Sequence, residues 1–221
     1  MKKHLLAAAV LAALGTGSAN ALVISGGSFS NALETTEISQ SGNLSLFDST
    51  LGTLIGATLT LTGQDVMTIT LTNNAAQAQL TSATGVVDLF FSSSLAALDL
   101  LLSAGNPIVS LTNPTGANNI PAGGSLVFGP LADSDSAVLN PAPAMFAQAG
   151  GGSFSISCQS LSGITIVGGG GNIASEQVTD AACGAGIEYE YEVNQTPEPA
   201  SMALVGLGLL GLGVARRRKA A

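Results

Sequence analysis

The sequence predicts an all-β chain: a single-domain antiparallel β-sandwich of the jelly-roll or Ig-like class, flanked by an N-terminal signal peptide and a C-terminal transmembrane helix. Three observations carry this. Apolar and polar residues alternate with period two in several runs, Gly- and Pro-rich turn signals separate those runs, and the interior shows no extended helical period. Residues 22–193 leave some 170 positions between the two ends, enough for one domain with a sizeable core.

The elements follow in chain order. Glu37–Phe47 reads as the first strand. Ala57-Thr58-Leu59-Thr60-Leu61-Thr62 sets Ala and Leu on one face and Thr on the other, and the pattern resumes after Gly63-Gln64-Asp65 as Met67-Thr68-Ile69-Thr70-Leu71-Thr72. Two such runs about a short Gly-containing turn predict a β-hairpin with one buried face. Further strands are expected at Val86–Ser92, Ile108–Leu111, Ser125–Phe128 and Phe154–Val167. Leu95–Leu102 fits a short helix or a buried strand, because periodicity cannot separate the two at that length. Ile187–Val193 alternates strictly, with Ile187, Tyr189, Tyr191 and Val193 inward and Glu188, Glu190 and Glu192 outward. Turn signals stand at Asn113-Pro114, Pro121–Gly124, Gly150–Gly152 and Gly168–Gly171, read as wide turns within one domain.

The charge distribution excludes whole classes of function. The six Lys and Arg residues are Lys2, Lys3, Arg216, Arg217, Arg218 and Lys219, and the single histidine is His4. Everything between Lys3 and Arg216 is without a basic residue, while all fourteen Asp and Glu lie there. A nucleic-acid surface, which needs Lys or Arg to neutralise phosphates, is excluded. So are histidine acid–base chemistry and histidine-ligated metals. The abundant Ser and Thr have no base to activate them and no cation to hold an oxyanion. A carboxylate pair for glycoside chemistry remains in the inventory, but Trp is absent and the two Tyr share one edge-like run. The chain is therefore expected not to be an enzyme and to carry no cofactor and no metal. Asp133-Ser134-Asp135-Ser136 has alternating oxygens that suit calcium, yet lacks the Gly and the distant Glu of an EF-hand loop, and reads as a solvated polar turn.

Both ends read as addresses. Lys2 and Lys3 precede the ten-residue apolar core Leu5–Leu14, and Ala19-Asn20-Ala21 supplies small residues for signal cleavage after Ala21. At the other end, Thr196-Pro197-Glu198-Pro199 leads into apolar Ala200–Ala215 and then Arg216-Arg217-Arg218-Lys219. Sixteen helical residues reach ~24 Å, a short span, and the basic cluster is expected to stay cytoplasmic as a stop-transfer signal. Gly206-Leu207-Gly208-Leu209-Leu210-Gly211 spells a dinucleotide-binding G-x-G-x-x-G, but the chain has neither the preceding strand nor a later acidic residue that the fingerprint needs. Outside the cytoplasm, Cys158 and Cys183 are expected to form a structural disulfide closing a loop of about 26 residues, since no C-x-x-C spacing points to redox work.

The ordered combination of Pro197-Glu198-Pro199, a Gly/Leu-rich span and an Arg cluster resembles the PEP-CTERM protein-sorting signal, over residues 196–221. That resemblance implies an exosortase substrate: a protein exported through the inner membrane of a Gram-negative-type bacterium, membrane-anchored before processing and then cell-surface or extracellular. Its partners would be the exosortase and the general secretion machinery, an exopolysaccharide as a further partner, and the membrane only transiently. The same tail is sometimes labelled an ice-binding protein C-terminal domain, which describes the tail and not the body. The body resembles the choice-of-anchor type E domains, through Thr36-Glu37-Ile38-Ser39-Gln40, Leu44-Ser45-Leu46-Phe47-Asp48, Leu51-Gly52-Thr53-Leu54 and Glu188-Tyr189-Glu190-Tyr191. This implies an extracellular β domain without defined catalytic activity.

The expected organisation is thus a signal peptide over 1–21, an extracellular β-sandwich over 22–193 and a sorting signal over 194–221. The expected function is a surface or extracellular-matrix protein, biofilm-associated, in a structural or adhesive role. An ice-binding or carbohydrate-binding secreted β protein is the alternative. It rests on the Thr58/Thr60/Thr62 and Thr68/Thr70/Thr72 rows on two paired strands, and on Tyr189 and Tyr191 as sugar platforms.

Overall fold

A computed structural model describes residues 21–193 together with Gly206 and Gly208, which are helical. The residues before Ala21 expected to form a signal peptide, the Pro197-Glu198-Pro199 motif and Arg216–Lys219 lie outside the described residues. Among the described residues no helix is long and apolar enough to cross a membrane.

Twelve strands form two five-stranded sheets and one two-stranded pair. They are β1 (Ala21–Ser30), β2 (Glu34–Thr35), β3 (Ser39–Ser45), β4 (Phe47–Asp48), β5 (Gly52–Asn73), β6 (Gln79–Ser93), β7 (Val109–Pro114), β8 (Asn118–Ile120), β9 (Ser125–Leu139), β10 (Ala147–Gln148), β11 (Ser153–Gly168) and β12 (Ile173–Val193). One sheet runs β1-β12-β5-β9, with β2 on β12, and the other runs β3-β11-β6-β7, with β8 on β6. The β5–β9, β11–β3, β11–β6, β6–β7, β6–β8 and β12–β2 ladders are antiparallel, and a two-residue parallel pair joins β10 to β4. The segment Leu22–Tyr191 forms one compact unit.

The expected hairpin over residues 57–72 is one uninterrupted strand. Every odd residue from Ala57 to Asn73 is buried, so the alternation runs through Gly63-Gln64-Asp65 without a break in phase. Those residues have packing roles instead of turning the chain. A Cβ on Gly63 would collide with Leu89 of β6 and Val109 of β7, so glycine lets the facing sheet approach. The carboxylate of Asp65 reaches across to β7, where Asn113 Nδ2 donates to it at 2.7 Å, and it also accepts from the Asp133 N–H at 3.1 Å. In the other direction, Gly85 of β6 leaves the space that Met67 of β5 fills.

Asp133–Ser136, expected to be a polar turn, lies within β9 and pairs residue for residue with Thr62–Asp65. Asn113-Pro114 ends β7 rather than turning the chain. The other turn signals hold their places. Gly124 N–H bonds the Pro121 carbonyl, and the four glycines 168–171 take positive φ between β11 and β12. Leu95–Leu102 resolves as a helix, α1 (Ala96–Gly105), which buries Leu98 and Leu102, one turn apart, against β6.

The core between the sheets is apolar and continuous. Leu59, Leu61, Met67, Ile69 and Leu71 of β5 face Val87, Leu89 and Phe91 of β6 and Ile156 of β11. One end is closed by rings. Tyr189 stacks edge-on to Phe47 with centroids 5.9 Å apart, Phe146 lies 5.8 Å from Tyr189, and Phe154 lies 5.6 Å from Phe146. Cys158 of β11 and Cys183 of β12 are bonded to each other, Cα atoms 6.7 Å apart, so one covalent link joins the central strands of the two sheets.

Candidate functional site

The body has no cation with which to build a reaction centre. Residues 21–193 contain thirteen of the fourteen carboxylates, the other being Glu198, and no Lys, Arg or His. Among the described residues no cluster of three or more Asp, Glu, Cys or His is arranged to hold a metal ion.

What the fold builds is a groove on the outer face of the β1-β12-β5-β9 sheet. Because the odd residues of β5 point into the core, its even residues Thr58, Thr60, Thr62 and Gln64 form a floor. On β12 the corresponding outward positions are Glu190, Glu188, Gly186, Gly184 and Ala182, small in the middle and acidic at one end. Four concavities lie along β5 on this face. The first, about 240 Å³, lies between Thr58, Asn140 and Glu190. The second, about 200 Å³, lies between Thr58, Thr60, Ser28 and Glu188. The third, about 350 Å³, is bounded by Thr62, Gln64, Ser30, Ser134, Ser136 and Asp135. The fourth, about 340 Å³, continues past Gln64 to Val66 and Asp133. From Thr58 to Gln64 the floor spans six residue steps, roughly 20 Å at strand rise.

The polar groups on this floor are free for a ligand. The Thr60, Thr62, Gln64, Ser28 and Ser136 side chains make no hydrogen bond to another described residue, and neither do Glu188 and Glu190. Thr58 is tied to Asn140 at 3.3 Å, and Asp135 accepts only from the adjacent Ser136 N–H. In sum, the groove offers hydroxyls, an amide and rim carboxylates.

Beneath it sits Asp65, a carboxylate whose pKa burial raises. Asp65 is 1% exposed, and loss of water pushes its pKa above the ordinary 3.8 despite the Asn113 and Asp133 N–H donors; the Asp133 charge pushes the same way. A raised folded pKa means that the charged form costs stability. The cost is fully present above the folded pKa and is relieved as pH falls towards the unfolded value. The melting temperature of the wild type is therefore expected to rise on acidification from neutral pH towards that value, helped by relief of self-repulsion in a body without cations. Asp65→Asn is expected to flatten this rise, since Asn113 can flip to accept from the new amide; equal slopes in melts across pH would contradict it. Asp48 behaves oppositely, because the Thr50 and Gly150 N–H groups hold its carboxyl below 3.8.

The sequence-based site residues fare unequally. Cys158 and Cys183 come together as expected. Ala21 begins β1, while Ala19 lies outside the described residues. The two Thr rows do not line paired strands: all six are on the outer face of the single strand β5. The array is one strand wide, flanked by Gly184 and Gly186 on one side and by Ser136 and Val138 on the other. Tyr189 is not a platform for sugar rings. It is 1% exposed, its hydroxyl donates to the Ser45 carbonyl at 2.7 Å, and burial raises its pKa far above the usual phenol value. Tyr191 packs on Phe47 with centroids 5.1 Å apart. The run that carried them looked like an edge, but β12 is interior to its sheet. The groove residues Gln64, Ser134, Ser136 and Gly186 had gone unnoticed as a set. Their sequence signal is the glycine at alternate positions of a strand, which marks a face that is left low.

Comparison with known proteins bears on the tail. Residues 195–219 match the PEP-CTERM protein-sorting motif. No curated protein matches the chain. Among solved structures, similar ones include the T13 particle of infectious bursal disease virus (IBDV), 12% identical over 82% of this chain and 41% of that one, TM-score 0.15. The Gx strain of infectious bursal disease virus gives 13% identity over 86% and 47%, TM-score 0.15. Mud crab tombus-like virus gives 8% over 85% and 88%, TM-score 0.22. The chain thus spans less than half the length of the first two, and likeness at this level says nothing of what it does. The sorting motif implies an exported protein that an exosortase processes, with a cell-surface or extracellular fate.

Proposed function

We propose that this chain is a surface or extracellular-matrix protein of a Gram-negative-type bacterium, whose β-sandwich has a structural or adhesive role and catalyses nothing. It is held in the inner membrane by its C-terminal segment until the exosortase acts, and it joins an exopolysaccharide matrix afterwards. The observation that carries the reading is the pairing of a PEP-CTERM motif at 195–219 with a body of residues 21–193 that has no basic side chain. Such a body lacks the base, the oxyanion cation and the imidazole that hydrolytic sites use. It does present a long polar groove, which suits adhesion. The choice-of-anchor type E likeness of the body is consistent with this role.

Replacing Pro197, Glu198 and Pro199 together by alanine tests it. The variant is expected to accumulate in the membrane fraction at a mass that still includes Arg216–Lys219, while the wild type appears outside the cell without them. Processing of the variant at the wild-type rate would contradict the reading.

A further inference from the structure

The groove over Thr58–Gln64 can be assigned a ligand chemistry, resting on the matrix role proposed above. We propose that it holds an extended, amine-bearing polysaccharide strand: an amino-sugar polymer with free amines along its length. Two properties of the site select this class together, and neither selects it alone.

The first is the floor. Thr60, Thr62, Gln64, Ser28 and Ser136 expose side chains without a partner among the described residues, in a track roughly 20 Å long. Each hydroxyl both donates and accepts, and the amide does the same. A chain with repeated hydroxyls matches such a surface. A peptide would look for apolar side-chain pockets, whereas the concavities along this track are lined chiefly by Ser, Thr, Gln and Gly. The lack of aromatic platforms here is matched to a ligand held by hydrogen bonds and charge rather than by stacking.

The second is the charge. Glu188 and Glu190 stand at one end of the track, and no cation exists anywhere in residues 21–193 to pair with them. The field over the groove is of one sign, so an anionic glycan is repelled and an ammonium-bearing one is drawn in. Ammonium groups of the ligand would supply the charge-assisted hydrogen bonds that the protein leaves unmade at its rim. The matrix polymer this protein holds is therefore cationic, complementary to a body of net charge −13 by the count of its side chains.

The test uses the full-length chain in detergent, so that it does not depend on processing, with four probes of similar length: a chitosan oligomer, its fully N-acetylated counterpart, an oligogalacturonate and an oligolysine. The chitosan oligomer is expected to bind and to weaken as salt rises. Glu188→Gln with Glu190→Gln is expected to weaken it at least about tenfold, the loss of a charge-assisted hydrogen bond. Thr60→Val with Thr62→Val, which keeps side-chain shape on the outer face, is expected to weaken it about fivefold. Equal binding of the acetylated or the anionic oligomer overturns the amine assignment. Oligolysine binding as tightly, with the Thr variants silent, overturns the glycan assignment. Failure of all four probes removes the ligand and leaves export untouched, whereas retention of the tail in cells removes the export reading and leaves the groove untouched.

Discussion

Tyr189→Ala is expected to destabilise the body by about 3–5 kcal/mol, the range for deleting a large buried ring. Tyr189 is fully enclosed, meets Phe47 and Phe146 ring to ring, and joins the end of β12 to β3 through its hydroxyl on the Ser45 carbonyl. Tyr189→Phe separates the contributions. It keeps the ring and removes the part-buried hydrogen bond to the Ser45 carbonyl, so about 0.5–1.5 kcal/mol is expected. Denaturant melts read both. A Tyr189→Ala melt within 1 kcal/mol of wild type, on the scale that core truncations set, would mean that the ring is exposed after all. That outcome would return Tyr189 to the surface, where a sugar could reach it.

Removing the disulfide is the second large effect. Cys158 and Cys183 are separated by 25 residues, and the chain-entropy treatment gives about 3.5 kcal/mol for a loop of that size. In a domain of this length each kcal/mol moves the melting temperature by roughly 2–4 °C, so Cys158→Ala with Cys183→Ala is expected to melt about 7–14 °C lower. The bond links central strands of opposite sheets, and both sulfurs are buried. Mild reductant on the folded protein is therefore expected to act slowly, and unchanged stability of the double variant would contradict a structural role. An oxidising compartment is where such a link persists, in keeping with the export that the tail implies.

Much of this architecture was legible because β-sandwiches write their burial into sequence parity. Ile187–Tyr191 alternates in the chain as it does in the fold, and the Ala/Leu against Thr faces of β5 are as the residues dictate. What misled was punctuation. Gly63 and Asp65 are turn residues by composition, yet here glycine answers the pressure of Leu89 and Val109, and aspartate answers Asn113 across the core. Parity held the correction, since Leu61 and Met67 stay in phase through the supposed turn. Asp133–Ser136 misled for the same reason: its serines face the groove beside Gln64 and Thr62, while Asp133 accepts from the Thr112 N–H of the facing sheet, so its polarity belongs to a strand and not to a loop. The groove itself escaped because it is made by four strands that are distant in sequence, β1, β5, β9 and β12, and no local spacing links them.

Fold and inventory converge on one division of labour. The cations all lie outside residues 21–193, and the body is left as a carboxylate- and hydroxyl-bearing sandwich clamped by a disulfide. The most direct test is the intact mass of the protein recovered from outside the cell, measured before and after trypsin under reducing, denaturing conditions. A chain that begins at Leu22, ends upstream of Arg216 and is left uncut by trypsin is the expected result. A mass that retains Arg216–Lys219, found in the inner membrane and shortened by trypsin, would contradict it.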